Sequence, residues 1–204
     1  MYINFDAISS GQAYACMTRT LLPRPIAWVL SENADGSHNL APFSYFNAVC
    51  SDPPLIMLSI GRKPDGTPKD TRDNIVARSR FVVHIAHASQ AEALNASAAG
   101  LAAGQSEATE LGLATTPFED FALPRLSDCR VAYACERYQV QYIGRQQQAL
   151  ILGQIHAAYI DDRIATQDAQ GRLQVDAARL DPLCRLGGND YSSLHEILSL
   201  DRPD

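Results

Sequence analysis

Two groups of residues in this chain have the types and spacing needed to hold a small molecule. The first is Lys69-Asp70-Thr71, which follows the Gly/Pro loop Gly61-Arg-Lys-Pro-Asp-Gly-Thr-Pro68 at what reads as a helix start. A phosphate dianion is best met by backbone N–H groups at a helix N-terminus together with one or two cations. Lys69, the amides after Asp70 and the Thr71 hydroxyl supply that chemistry. The second group lies upstream: Ala41, Pro42, Phe43 and Ser44, with the aromatic Tyr45 and Phe46 beside them. A planar aromatic ring needs a flat, dry wall with backbone groups free to bond its polar edge. Small side chains, and a proline that interrupts strand pairing, provide one. Flavin mononucleotide (FMN) carries both a flat ring and a terminal phosphate.

Each group has a plainer explanation on its own. Asp70-Thr71 also reads as ordinary helix capping, and Phe43, Tyr45, Phe46 and Trp28 as core or dimer packing. Their occurrence together points to a cofactor. Other chemistries are absent. Gly61 and Gly66 have the spacing of a P-loop, but Thr67-Pro68 stands where that motif needs Lys followed by Ser or Thr. His195-Glu196 lacks the second histidine of a metalloprotease, and neither a Gly-x-Ser-x-Gly elbow nor a Gly-x-Gly-x-x-Gly fingerprint occurs. The histidines and the five cysteines show no ligand spacing, so no metal is expected. The absence of an acid/base pair is what a cofactor enzyme permits, because the cofactor carries the hard chemistry.

The net charge of -6 argues against nucleic-acid or anionic-membrane partners, which need clustered Lys and Arg. Arg62, Lys63, Lys69 and Arg72 form a local basic cluster inside this acidic chain. No secretory signal or membrane span is evident, and the Asn95-Ala-Ser97 sequon is read as chance, so a reduced, cytoplasmic protein is expected. At 204 residues the chain suits one domain over 1–204, with roughly 70% of its unfolded surface removable from water.

The elements that must position these groups are mostly β. Residues 25–31 form an apolar run, Asn33-Ala-Asp-Gly36 signals a turn, and 38–49 is a second β-like run, together a hairpin. Pro42 inside the second run predicts an edge strand or a bulge. After Asp52-Pro-Pro54 comes a strand over 55–60, then a helix over 71–78 with Asp70 as N-cap, then a strand over 81–85. Ser89 and Glu92 suggest a capping box opening an Ala-rich helix that ends near Gly100, and a short helix over 107–111 is stopped by Gly112. From 126 to 160 the pattern returns to β. Its apolar phase flips beyond Glu136-Arg137, as a β-bulge would make it. A helical turn near 176–180 and a capping-box-like Ser193-Leu-His-Glu196 complete the chain. About six antiparallel strands with few helices predict a mainly β fold, a closed barrel with helical excursions.

Several motifs resemble the flavin reductase-like, FMN-binding split-barrel family. They are Arg24-Pro-Ile-Ala, Asn39-Leu-Ala-Pro-Phe-Ser-Tyr-Phe-Asn47, Asp52-Pro-Pro54 and Pro64-Asp-Gly-Thr-Pro-Lys-Asp-Thr71, with looser matches at Asn95-Ala-Ser97, Ser106-Glu107, 150–154, Arg185-Leu-Gly-Gly188 and Tyr191. The resemblance covers roughly 21–200. It implies a split-barrel homodimer with FMN, or alternatively FAD, near the subunit interface, reduced by NADH or NADPH. The electrons would pass to a second small-molecule or protein acceptor, a partner oxygenase among them. Carried onto this chain, the ring would lie along residues 41–46 and Ser59. The phosphate would sit by Lys69, the Asp70 backbone, Thr71 and Asn74, while Arg185 and Tyr191 would shape the reductant's side. One departure is His84, where relatives often carry a polar amide. An electron carrier without its own NAD(P)H turnover, and a scaffold without flavin, remain alternative readings.

Overall fold

The computed structural model describes residues 1–101, 105–201 and 203. In order the chain forms α1 (Ser10–Thr20), β1 (Arg24–Pro25), β2 (Ala27–Glu32), β3 (His38–Phe43), β4 (Phe46–Ser51), β5 (Pro54–Ile60), α2 (Asp70–Arg78) and β6 (Arg80–Ile85). There follow α3 (Ala91–Ala96), α4 (Glu107–Glu110), β7 (Thr115–Phe118), β8 (Phe121–Leu126), β9 (Val131–Ile143) and β10 (Gln148–Ile160). Beyond these lie β11 (Ala165–Gln167), β12 (Leu173–Val175), α5 (Ala177–Leu180), β13 (Cys184–Arg185) and β14 (Tyr191–Ser192). Seven strands make one antiparallel sheet in the order β3-β2-β6-β9-β10-β5-β4.

The barrel is split, as the family resemblance implies, and not closed as strand pattern alone suggests. The sheet order begins at β3 and ends at β4, with no ladder joining the two. Instead the chain passes directly from one edge to the other through Ser44 and Tyr45, and the Ser59 N–H donates to the Tyr45 carbonyl at 2.9 Å. The single β-like run read over 38–49 is therefore two strands, which raises the count from six to seven. Pro42 does sit on an edge strand, where its missing N–H costs no ladder bond.

Alternation along β2 feeds two apolar layers. Ala27 and Val29 join Phe46, Leu58, Phe81 and Ile151 inside the barrel. Trp28 and Leu30 point outward and are covered by α3, α4 and the β7–β8 hairpin through Leu94, Ala108, Phe118 and Leu123. Trp28 is fully buried, and its indole N–H donates to the Ser97 hydroxyl at 2.8 Å.

The phase flip in β9 is a bulge at Tyr138: Leu152 faces Gln139 and Gly153 faces Arg137, so Tyr138 has no partner across the ladder. Gly153 opposes the bulge because a Cβ there would run into the Phe81 ring.

Several local expectations need correcting. Lys69, not Asp70, is the N-cap of α2, because Asp70 is already helical and its carboxylate takes the Lys63 ammonium at 2.8 Å. The capping box before α3 belongs to His87 and Gln90, which open a 3-10 turn over Ala88–Gln90 ahead of a helix ending at Ala96 rather than near Gly100. Residues 193–201 form no helix. His84 lies away from the seam and is wholly buried. Leu126 N–H donates to its Nε2 at 2.9 Å, which leaves Nδ1–H to donate to the Trp28 carbonyl at 3.0 Å. It pins the outer hairpin to the barrel wall.

Candidate functional site

The break between β3 and β4 frees residues 44 and 45 from the sheet, and three adjoining hollows meet around them. The first, about 450 Å³, lies between Pro42–Tyr45 on one side and Ser59, Arg62 and Lys69 on the other, with Tyr14 and Met17 of α1 alongside. That volume is within the usual range for small-molecule sites. Among the described residues no carboxylate lines it, whereas two cations do. The Lys69 ammonium stands 5.5 Å from the Phe43 ring centroid. Lys69 also makes no side-chain cap, so the first amides of α2 have no capping side chain. Gln148 donates to the Ser59 hydroxyl at 3.1 Å. Tyr45 completes the wall, and its buried hydroxyl has no hydrogen-bond partner among the described residues. Burial and the neighbouring Tyr14 hold that phenol above its ordinary pKa.

The other residues of the expected phosphate site are placed differently. Thr71 is buried, and its hydroxyl accepts from the Asn39 amide at 2.7 Å. Asn74 donates to Asn33 at 2.8 Å and to Ser31 at 3.2 Å. Asn74 and Asp70 face a separate cleft of about 280 Å³ that they share with Asp35, Asp73 and Glu107. Burial pushes the Glu107 carboxyl above its ordinary pKa, although Leu40 N–H donates to it at 2.8 Å. An acidic cleft of this kind repels a phosphate. Ala41 lies within β3 opposite Val29, and Phe46 faces a third hollow, apolar and about 590 Å³, with Met17, Leu21, Leu22 and Met57.

Arg185 and Tyr191 come from the far end of the chain to a second hollow of about 210 Å³, which shares Tyr14, Pro42, Phe43 and Ser44 with the first. The Arg185 guanidinium sits 4.3 Å from the Tyr191 ring centroid, and the Tyr191 hydroxyl donates to Asn95 at 3.0 Å. A further arginine holds this region together. Buried Arg24 reaches the Ser44 hydroxyl at 3.4 Å and donates to the carbonyls of Thr18, Leu21 and Leu186, the last at 2.8 Å. It joins α1, the seam and the segment carrying β13 and β14.

Sequence reasoning missed Tyr14, Met17 and Gln148, and named Arg24 only as part of a motif, without its role at the seam. A signal for α1 was present: Ser9 and Gln12 form a capping box, with Ser9 N–H donating to the Gln12 side chain at 2.9 Å. Among the described residues no helix is long and apolar enough to cross a membrane.

Comparison with known proteins agrees with this architecture. The family model described as flavin reductase like domain matches residues 17–175. A protein of unassigned function from Halalkalibacterium halodurans is 38% identical over 207 residues, covering 100% of this chain and 97% of that one. The crystal structure of nitrilotriacetate monooxygenase component B from Bacillus cereus is 31% identical, covers 98% of both chains and superposes with a TM-score of 0.90. That of the Pseudomonas fluorescens 2-nitrobenzoate 2-nitroreductase NbaA is 30% identical, covers 100% of this chain and 96% of the other, and gives 0.87. With its split antiparallel barrel and its seam of hollows, the chain belongs to the flavin reductase-like family of oxidoreductases.

Proposed function

We propose that this protein binds FMN at the seam, accepts hydride from NAD(P)H and passes the electrons to a second acceptor. The observation that carries this reading is the donor set of the 450 Å³ hollow: Lys69 and Arg62 beside helix amides that no side chain caps, with no carboxylate in the lining among the described residues. Lys69 and the amides that open α2 would hold the phosphate. Pro42–Tyr45 and Ser59 would wall the ring, and the Tyr45 hydroxyl would gain the partner it lacks. When bound, the flavin supplies the two-electron carrier that the side chains themselves do not provide.

The remaining expected residues serve by position. Asn39 and Thr71 clamp the start of α2 against β3, and Asn74 fastens α2 to the turn after β2. Tyr14 and Met17 of α1 flank the hollow and would cover part of a ligand held there. Arg185 and Tyr191 shape the side from which a reductant or acceptor approaches. An oxygenase as the electron-accepting partner is supported by the likeness to nitrilotriacetate monooxygenase component B. The β4 edge and the apolar 590 Å³ hollow beside it suit burial against a second copy, giving a homodimer. Five unpaired cysteines suit a reducing compartment, the cytoplasm.

An absorbance spectrum of the purified protein before and after anaerobic NADH or NADPH tests this, with the released flavin identified as FMN or FAD. Bands near about 370 and 450 nm that bleach on mixing are expected of a flavin reduced by nicotinamide. A yellow protein that stays yellow would support a carrier without NAD(P)H turnover. A colourless protein that rejects added FMN would overturn the proposal.

A further inference from the structure

The C-terminal segment carries a helix signature that the single chain leaves unused. Ser193 and Glu196 have the spacing of a capping box, and Leu194, Ile197 and Leu198 fall at i, i+3 and i+4, one face of a helix. Residues 193–201 nevertheless form no helix. Leu194 and Ile197 are exposed, Leu198 is 74% exposed and Leu200 89%. Large aliphatic side chains gathered so closely on the surface mark a segment that docks, unlike apolar residues scattered singly. A helix this short does not hold in water by itself and forms when its apolar face meets a surface.

The same chain has an uncovered surface of matching character. The 590 Å³ hollow is walled by Met17, Leu21, Leu22, Phe46, Met57 and Leu150, and among the described residues none beyond Leu150 lines it. A cavity of about 150 Å³ holds one benzene, so this hollow has room for the three aliphatic side chains of that helical face. Register directs the segment away from its own hollow. Tyr191 stands opposite Arg185, and Arg185 opposite Arg24; Ser192 stands opposite Cys184, and Cys184 opposite Pro25. β14 therefore runs in the same direction as β1, and the chain leaves Ser192 on the side away from Leu21, Leu22 and Pro23. We infer that residues 193–200 fold as a helix on a second copy of this chain, with Leu194, Ile197 and Leu198 in that copy's 590 Å³ hollow, and that the second copy returns the contact. A two-fold dimer covers both surfaces of both chains, so each contact counts twice. The inference rests on the proposed homodimer and names the segment that builds its interface.

Sedimentation equilibrium of the full chain tests it, with FMN absorbance read on the same samples. Ile197→Asp together with Leu198→Asp puts charge on the tail, and Leu21→Asp puts charge in the hollow. All three side chains are exposed in the single chain, so its fold is not at stake. Each variant should dimerise at least about 100-fold more weakly than wild type. Mixing the two variants should restore dimer, because one intact tail then meets one intact hollow. Unchanged dimerisation in either variant, or a mixture no more associated than its components, would overturn the exchange and leave the homodimer standing. A wild-type chain that is monomeric at every concentration would overturn both. A dimer that depends on the tail but takes up no FMN would uphold the exchange and sink the flavin reading alone.

Discussion

His84 offers the most quantitative test of how this fold is held together. Its ring is fully buried and neutral, receiving Leu126 N–H and donating to the Trp28 carbonyl. Burial outweighs the Trp28 hydrogen bond and holds its pKa down at about 4, against an ordinary value of 6.5. The folded protein therefore takes up this proton less readily than the unfolded chain. Stability from the group is fully present above pH 6.5, declines as pH falls through 6.5, and is exhausted near pH 4. At 1.36 kcal/mol per pH unit the loss comes to about 3 kcal/mol, a large share of a typical domain's stability. His84→Gln removes the titrating group and keeps an amide able to donate and accept. His84→Leu leaves the Trp28 carbonyl and the Leu126 N–H buried without partners, at about 2–6 kcal/mol for the pair. Urea unfolding from pH 7.5 to 4.5 should show wild-type stability falling more steeply than that of His84→Gln, with His84→Leu the least stable at pH 7.5. His87, whose pKa burial also lowers, adds an acid-side slope common to all three. Parallel pH profiles for wild type and His84→Gln would refute the reasoning.

Three other outcomes are expected. Lys69→Ala should weaken FMN binding by about 10- to 100-fold, the worth of one charge-assisted bond, without lowering the melting temperature, as fluorescence titration and thermal unfolding would show. Tyr45→Phe deletes a buried hydroxyl that lacks a protein partner, so the FMN-free protein should gain up to about 1 kcal/mol while its FMN affinity falls; a loss of stability would mean that the hydroxyl is satisfied within the protein. Gly153→Ala forces a methyl group into the Phe81 ring and should cost about 1–3 kcal/mol by denaturant titration; no loss would place the bulge elsewhere.

Much of the barrel was legible because alternation and turn residues mark antiparallel strands directly. The hairpin after β2, the edge position of Pro42 and the bulge in β9 each rest on a local rule and stand within a residue or two of where it put them. A split was expected from the family resemblance, but its place at Ser44-Tyr45 was not legible: both residues continue a β-like pattern, and only the far edge of the sheet explains why pairing stops. The phosphate residues illustrate a different limit. Lys69, Thr71 and Asn74 are close in sequence, but a helix turns about 100° per residue, from 3.6 residues per turn. Thr71 therefore faces the barrel, while Asp70 and Asn74, four apart, share the face toward the acidic cleft. Only Lys69, just outside the helix, reaches the basic hollow. Arg24 was legible as part of a motif but not as a junction, since its partners lie in segments that sequence spacing cannot bring together.

That junction bears on how the protein is made. The seven barrel strands are complete by Ile160, yet the Arg24 guanidinium needs the Leu186 carbonyl, and the smaller hollow needs Arg185 and Tyr191. A ribosome delivers the chain from its N-terminus at about 5–20 residues per second, so the barrel strands can pair while β13 and β14 are still in the exit tunnel. A nascent chain at that stage has a barrel whose seam is open on one side, with Arg24 short of one carbonyl. Gly187 then admits the returning segment, for a Cβ there would lie 3.1 Å from the Arg19 backbone in α1. The order of elements along the chain thus lets the barrel pair before the outer wall of its seam, the segment from 184 to 192, is available to close it.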